Sequence, residues 1–153
     1  MSKFVDHIFT IHNNPFILFP LVCEFFKNCP PKSNNLLMAY LVLPLVLNEQ
    51  CRATLIKVNI RSSILSFAGK KENIFGLPER VETYKNLTNQ CILHSKNMGV
   101  IDINDDLSVV IVGDIPKIGS DFSDHLKASK NIHKILKELD VVTIYRLLGV
   151  KAL

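Results

Sequence analysis

The chain has 153 residues, 48% of them apolar and 21% charged, with a net charge of +4. That apolar share excludes a disordered chain, and the length fits one compact domain or two small modules on a shared core. The excess charge is too small for a dedicated nucleic-acid binder and sits in residues 1–75, with eight Lys/Arg against four Asp/Glu, while residues 76–153 hold ten of each.

The four cysteines, Cys23, Cys29, Cys51 and Cys91, lie 6, 22 and 40 residues apart. Zinc ligands come in pairs two to four residues apart, so these read as buried free thiols in a reducing cytosol, with no metal and no cofactor. The N-terminus has no sustained apolar run and is not a signal peptide, so a cytoplasmic protein without a membrane span is expected.

Residues 4–12 alternate loosely through Phe4, Val5, Ile8, Phe9 and Ile11, as a short strand or an arm laid over the core. His7 and His12 there have no carboxylate or thiol at ligand spacing. Asn14-Pro15 then reads as a helix start: Asn14 can cap free amides, and Pro15 fits the first helical position. The helix FILFPLVCEFFKN is apolar nearly all round, with Pro20 expected to kink or restart it. Pro30-Pro31 ends it, and Asn34 or Asn35 caps the next helix.

The next stretch, Leu36 to Leu55, holds twelve consecutive residues without charge, Leu36 to Leu47. It is too short to span a bilayer, which takes about 20 apolar residues, and so predicts a central buried helix. Pro44 should kink it by removing a hydrogen bond to Tyr40. Two segments that are apolar all round should bury each other as antiparallel neighbours.

The pairing of Asn14-Pro15 with LVLPLVLNEQCRATL (residues 41–55) resembles the middle-component family of bacterial three-component ABC systems. In that family an Asn-Pro opens the first helix. A Leu-Pro-Leu run (here Leu43, Pro44, Leu45), a polar spacer and an Arg-x-x-Leu (Arg52, Leu55) close the second. The chain's last helix ends on Leu148-Gly149-Val150, matching the family's ending, so the resemblance covers nearly the whole chain. Pro20 departs from the small or aliphatic residues of the family's first helix. These motifs are structural rather than chemical.

Residues 60–68 predict a short helix with Ile60, Ile64, Leu65 and Phe67 inward, followed by a solvated loop over 69–73. Pro78 starts a long helix whose Val81, Tyr84, Leu87, Thr88, Cys91 and Ile92 form an amphipathic stripe, closed by Gly99 in a left-handed cap. Two β-rich runs, 100–103 and 107–112, joined at Asn104-Asp105-Asp106, predict a hairpin. A long helix running into a hairpin resembles a winged-helix module. In such a module the polar face, here with Arg80, Lys85, Asn86, Asn89, Gln90 and Lys96, can read base edges, or it is simply solvated. A further helix, 124–139, buries Leu126, Ser129, Ile132, Leu136 and Leu139. It aligns Lys127, Lys130, Lys134 and Lys137 on one face, which fits a solvated surface, an acidic partner or a phosphate backbone. Thr143 can cap a last helix, 144–148.

No nucleotide-binding loop, nucleophile elbow, zinc-protease or dinucleotide motif occurs. Cys91 and His94 stand one turn apart, but Cys91 lies on the apolar stripe. The expected fold is mainly α with a small β-hairpin (α+β). Residues 1–75 form a helical module around the kinked central helix. Residues 76–153 form a winged-helix-like helix–hairpin–helix module sharing its core. The resemblance implies a non-enzymatic adaptor linking an SMC- or Rad50-like ABC ATPase subunit to an effector subunit in bacterial conflict or phage defence. A winged-helix DNA-binding regulator is the alternative. Nucleic acid is the less favoured partner, and a homo-oligomer is left open.

Overall fold

The computed structural model describes residues 13–151. The arm expected over 4–12 lies outside them. The first helix, α1 (Pro15–Asn28), starts where its capping chemistry dictates, with Asn14 Oδ1 accepting from the Phe16 amide at 3.0 Å. It runs without interruption through Pro20, which is buried inside it, so the proline neither ends nor restarts the helix.

The long apolar stretch is not one kinked helix. It divides into a 3-10 turn (Asn35–Met38), α2 (Ala39–Val46) and α3 (Glu49–Leu55). Pro44 lies inside α2, and the break comes after it, at Leu47-Asn48. Asn48 is extended and its side chain accepts from the Cys51 amide at 3.0 Å, so a new cap rather than the proline decides where the chain turns. A proline in a helix interior costs about 3 kcal/mol. Burial of Leu41, Leu43 and Leu45, all essentially inaccessible, returns about 1.5–3 kcal/mol each and outweighs it.

Asn34 makes no side-chain cap, and Asn35 is buried with its Oδ1 accepting from the Val109 amide at 2.8 Å. The expected capping pair instead ties the 3-10 turn to a distant strand. The α1 helix also finds different cover from that expected. It packs chiefly against the long helix α6 (Leu77–Asn97) and against α7 (Ser123–Leu136), and less extensively against α2. The α2 helix is in turn covered mainly by α6. Buried residues from all these helices join one apolar cluster.

Between α3 and α6 lie α4 (Ile64–Gly69) and the single turn α5 (Lys71–Ile74). Ser63 and Ser66 form a reciprocal capping box that starts α4 at Ile64, so Ile60 falls outside it. Ile64 and Phe67 are buried as expected, but Ile60 is 84% and Leu65 67% exposed. The loop read as solvated contains a fully buried residue, Asn73. Its Nδ2 donates to the Phe67 carbonyl (2.9 Å) and its Oδ1 accepts from the Thr54 hydroxyl (3.2 Å).

The α6 helix ends as its sequence requires. Gly99, at φ +72°, lets its own amide reach the Lys96 carbonyl (3.0 Å) and the Val100 amide reach Ser95 (3.0 Å). The chain then forms an antiparallel hairpin, β1 (Ile101–Ile103) with β2 (Val109–Ile111), in which Asp102 faces Val110. Its turn is docked on the helices: the Asn34 amide donates to the Asp106 carbonyl (2.9 Å) and the Leu36 amide to Leu107 (3.0 Å).

A 3-10 turn (Ser120–Phe122) leads into α7, which stops at Leu136, three residues short of the expected end. The final helix, α8 (Val141–Leu147), is capped by Asp140 rather than Thr143. The Asp140 carboxylate accepts from the Thr143 amide at 2.7 Å, so the helix starts three residues earlier than expected. Gly149, at φ +77°, closes α8 with the same pattern as Gly99, the Val150 amide donating to the Tyr145 carbonyl at 2.9 Å.

Both glycines sit in the left-handed region with open space where a Cβ would be, so backbone strain alone sets the effect of substitution. Urea unfolding should show Gly149→Ala destabilising by about 1 kcal/mol, whereas Gly119→Ala, at an ordinary φ with equally open space, should be neutral. Hydrogen bonds from Ser108 hold the Asp106 carboxyl below its usual range, and those from Thr143 do the same for Asp140. A depressed folded-state pKa gives stability that is complete above the unfolded carboxylate range and lost as pH falls through the folded value. The loss of Tm in a D106A/D140A variant should therefore be largest near neutral pH and shrink in acid.

Candidate partner-binding surface

The residues on which the resemblance was stated are structural in this fold, and one of them, Arg52, acts with Arg80 at the end of α2. A helix C-terminus leaves its last four carbonyls unpaired. In α2 the Leu43 carbonyl accepts from the Leu47 amide (2.9 Å). The Val46 carbonyl accepts from Arg52 Nη1 (3.0 Å) and the Pro44 carbonyl from Arg80 Nε (3.2 Å). Arg80 also donates through Nη1 to the Phe75 carbonyl (2.7 Å), with Nη2 at 3.5 Å from both Cys51 Sγ and the Asn73 carbonyl. Leu43, Pro44, Leu45 and Leu55 are buried around this cap. Asn14, Pro15, Leu148 and Gly149 start the first helix and close the last.

This geometry divides the polar residues of α6. The Arg80 guanidinium is turned into the fold. Asn86, Asn89 and Gln90 are exposed, and Asn89 Oδ1 accepts from the Tyr40 hydroxyl at 2.5 Å. That leaves Asn86, Gln90 and Lys96 as the exposed polar side chains among the residues singled out on this face, with Lys85 half-buried.

Lys127 and Lys130 are exposed on α7, and Lys134 is half-buried one turn further on. Lys137 follows the last helical residue, at φ +50° and ψ −134°, and so leaves the helical row in which spacing had placed it. Lys134 and Lys137 instead flank a groove of about 280 Å³ formed with Cys29, Pro30 and Ile60. Sequence reasoning missed Ile60 because it was assigned to a helix that begins only at Ile64.

The thiols are all free and buried. Burial pushes Cys23 up to about 11 and Cys91 up to about 12, and raises Cys29 and Cys51 as well. All four are protonated at neutral pH and poor nucleophiles. His94 is held edge-on against Phe16 and Phe19, with ring centroids 4.6 Å from each, while Cys91 Sγ faces the Pro15 carbonyl at 3.9 Å. Among the described residues no cluster of His, Cys, Asp and Glu is arranged to hold a metal ion, and no helix is long and apolar enough to cross a membrane.

The family model for the ABC-three component (ABC-3C) system Middle Component 3 matches residues 2–152. The chain belongs to that family, and is therefore a component of a three-component ABC system. No curated protein and no solved structure matches it.

Removing the Arg80 guanidinium takes away the donor to the part-buried Pro44 carbonyl and to the Phe75 carbonyl, at a cost of about 1–3 kcal/mol. Arg80→Met should lower the free energy of urea unfolding by that amount. Asn86→Ala and Gln90→Ala, on the solvated side of the same helix, should leave it unchanged.

Proposed function

We propose that the chain is the non-enzymatic adaptor of its system, a cytoplasmic subunit that joins an SMC- or Rad50-like ABC ATPase to an effector in bacterial conflict or phage defence. The observation that carries this reading is the family match across residues 2–152. The chemistry of the chain supports it. Its thiols are protonated in the core, Arg52 and Arg80 are spent on carbonyls, and its exposed groups are suited to contact rather than to bond-breaking. Lys127, Lys130 and Lys134 supply a basic face for an acidic partner surface.

Co-expression with the ATPase and effector subunits of its system tests the reading. A complex that co-purifies with both is expected, and its assembly should weaken in K127E/K130E/K134E. A chain that stays monomeric in the presence of both subunits removes the adaptor function. A complex indifferent to charge reversal removes the lysine face.

One feature favours a second reading. The order of long helix and hairpin, with Asn86 and Gln90 exposed, suits a winged-helix regulator. Fluorescence anisotropy on duplex DNA at low salt discriminates: binding that falls with salt and with N86A/Q90A supports the regulator, and absence of binding eliminates it.

A further inference from the structure

One edge of the hairpin is only partly used. The hydrogen-bonded pairs alternate along it: the Val112 amide donates to the Val100 carbonyl (2.9 Å) and the Asn104 amide to Ser108 (2.9 Å), with Asp102 opposite Val110 between them. The backbone groups of Val109 and Ile111 therefore point away from β1. Asn35 takes the Val109 amide. Among the described residues nothing takes the amide or the carbonyl of Ile111.

That edge lines a groove of about 460 Å³ whose other wall is residues 26–31. Pro30 and Pro31 have no N–H to offer the strand, and no carbonyl of this wall accepts from it. Cys29 and Pro30 also border the smaller groove beside Ile60, Lys134 and Lys137, so the two grooves meet along one ridge. The cations on their walls are Lys27, Lys134 and Lys137, against one carboxylate, Glu138, among the described lining residues. An unpaired strand edge calls for an extended occupant, an apolar ridge for aliphatic side chains, and a basic rim for carboxylates.

We propose that the outer edge of β2 is a docking site for an extended segment of a partner protein, rich in alternating aliphatic and acidic residues, which adds a third strand to the hairpin. Its backbone pairs with Ile111, its aliphatic side chains cover Pro30 and Ile60, and its carboxylates meet the lysines. The proposal deepens the adaptor reading and rests on it for where the partner is sought.

Overlapping synthetic peptides spanning the neighbouring ATPase and effector subunits are the probe, with bound peptides titrated in solution against the full chain. The expected hits alternate aliphatic with Asp or Glu. They should lose roughly tenfold in affinity against Ile111→Pro, which removes the outward N–H without touching the ladder, and roughly tenfold against K134E/K137E. If Ile111→Pro fails to retain the native circular dichroism, the surface lysine variant decides alone. No bound peptide, or peptides indifferent to the substitutions, overturns the proposal. Self-association in solution that Ile111→Pro abolishes also overturns it, making a second copy the occupant. Intact subunits that bind while every peptide fails leave the adaptor and remove the strand site. Peptides that bind as described while neither intact subunit does leave the site and remove the adaptor.

Discussion

The structure depends on how one buried helix end is satisfied. The α2 helix is apolar on every side and packed among other helices, so the carbonyls at its C-terminus are partly shielded from water. Each would cost free energy if left without a donor. Arg52, from the helix that follows, and Arg80, from the first turn of α6, supply the donors. Arg80 bridges further, to Phe75 and to the neighbourhood of Asn73 and Cys51. A single guanidinium thereby joins α2, the α5 turn and α6. Its fixed fork of donors suits the task, which a lysine ammonium would serve less well.

The sequence was legible at many of the places where local chemistry decides. The Asn14 cap, the Gly99 and Gly149 terminations, the amphipathic stripe of α6 and the hairpin are each set by neighbouring residues or by simple periodicity. It was less legible where a distant partner competes. Asn35 had the chemistry of a cap and instead satisfies a strand amide. Asn73 sits in a polar run and is buried because Phe67 and Thr54 close around it. Arg80 sits on what spacing marks as a polar helix face, yet its guanidinium reaches back to Pro44. Leu36–Leu55 divides for a local reason that a proline masks: the Asn48 cap, not Pro44, sets the break.

The same contrast governs how the surface was read. Periodicity identified the lysines of α7 but not that the helix stops at Leu136, which turns Lys137 out of the row and toward Ile60 and Pro30. Basic and apolar groups from three separate segments meet there, a juxtaposition that no linear pattern reveals. The residues on which the family resemblance was stated, by contrast, are helix starts, helix ends and core contacts in this fold.

The central claim is that Arg52 and Arg80 act together as the cap of one buried helix end. A double-mutant cycle with Arg52→Met and Arg80→Met, followed by urea unfolding, tests it most directly. Because both side chains serve carbonyls on the same turn, the account predicts that each single variant is clearly destabilised. It also predicts a coupling energy of about 0.5 kcal/mol or more between them. Two single variants as stable as the native chain, or strictly additive effects, would contradict it.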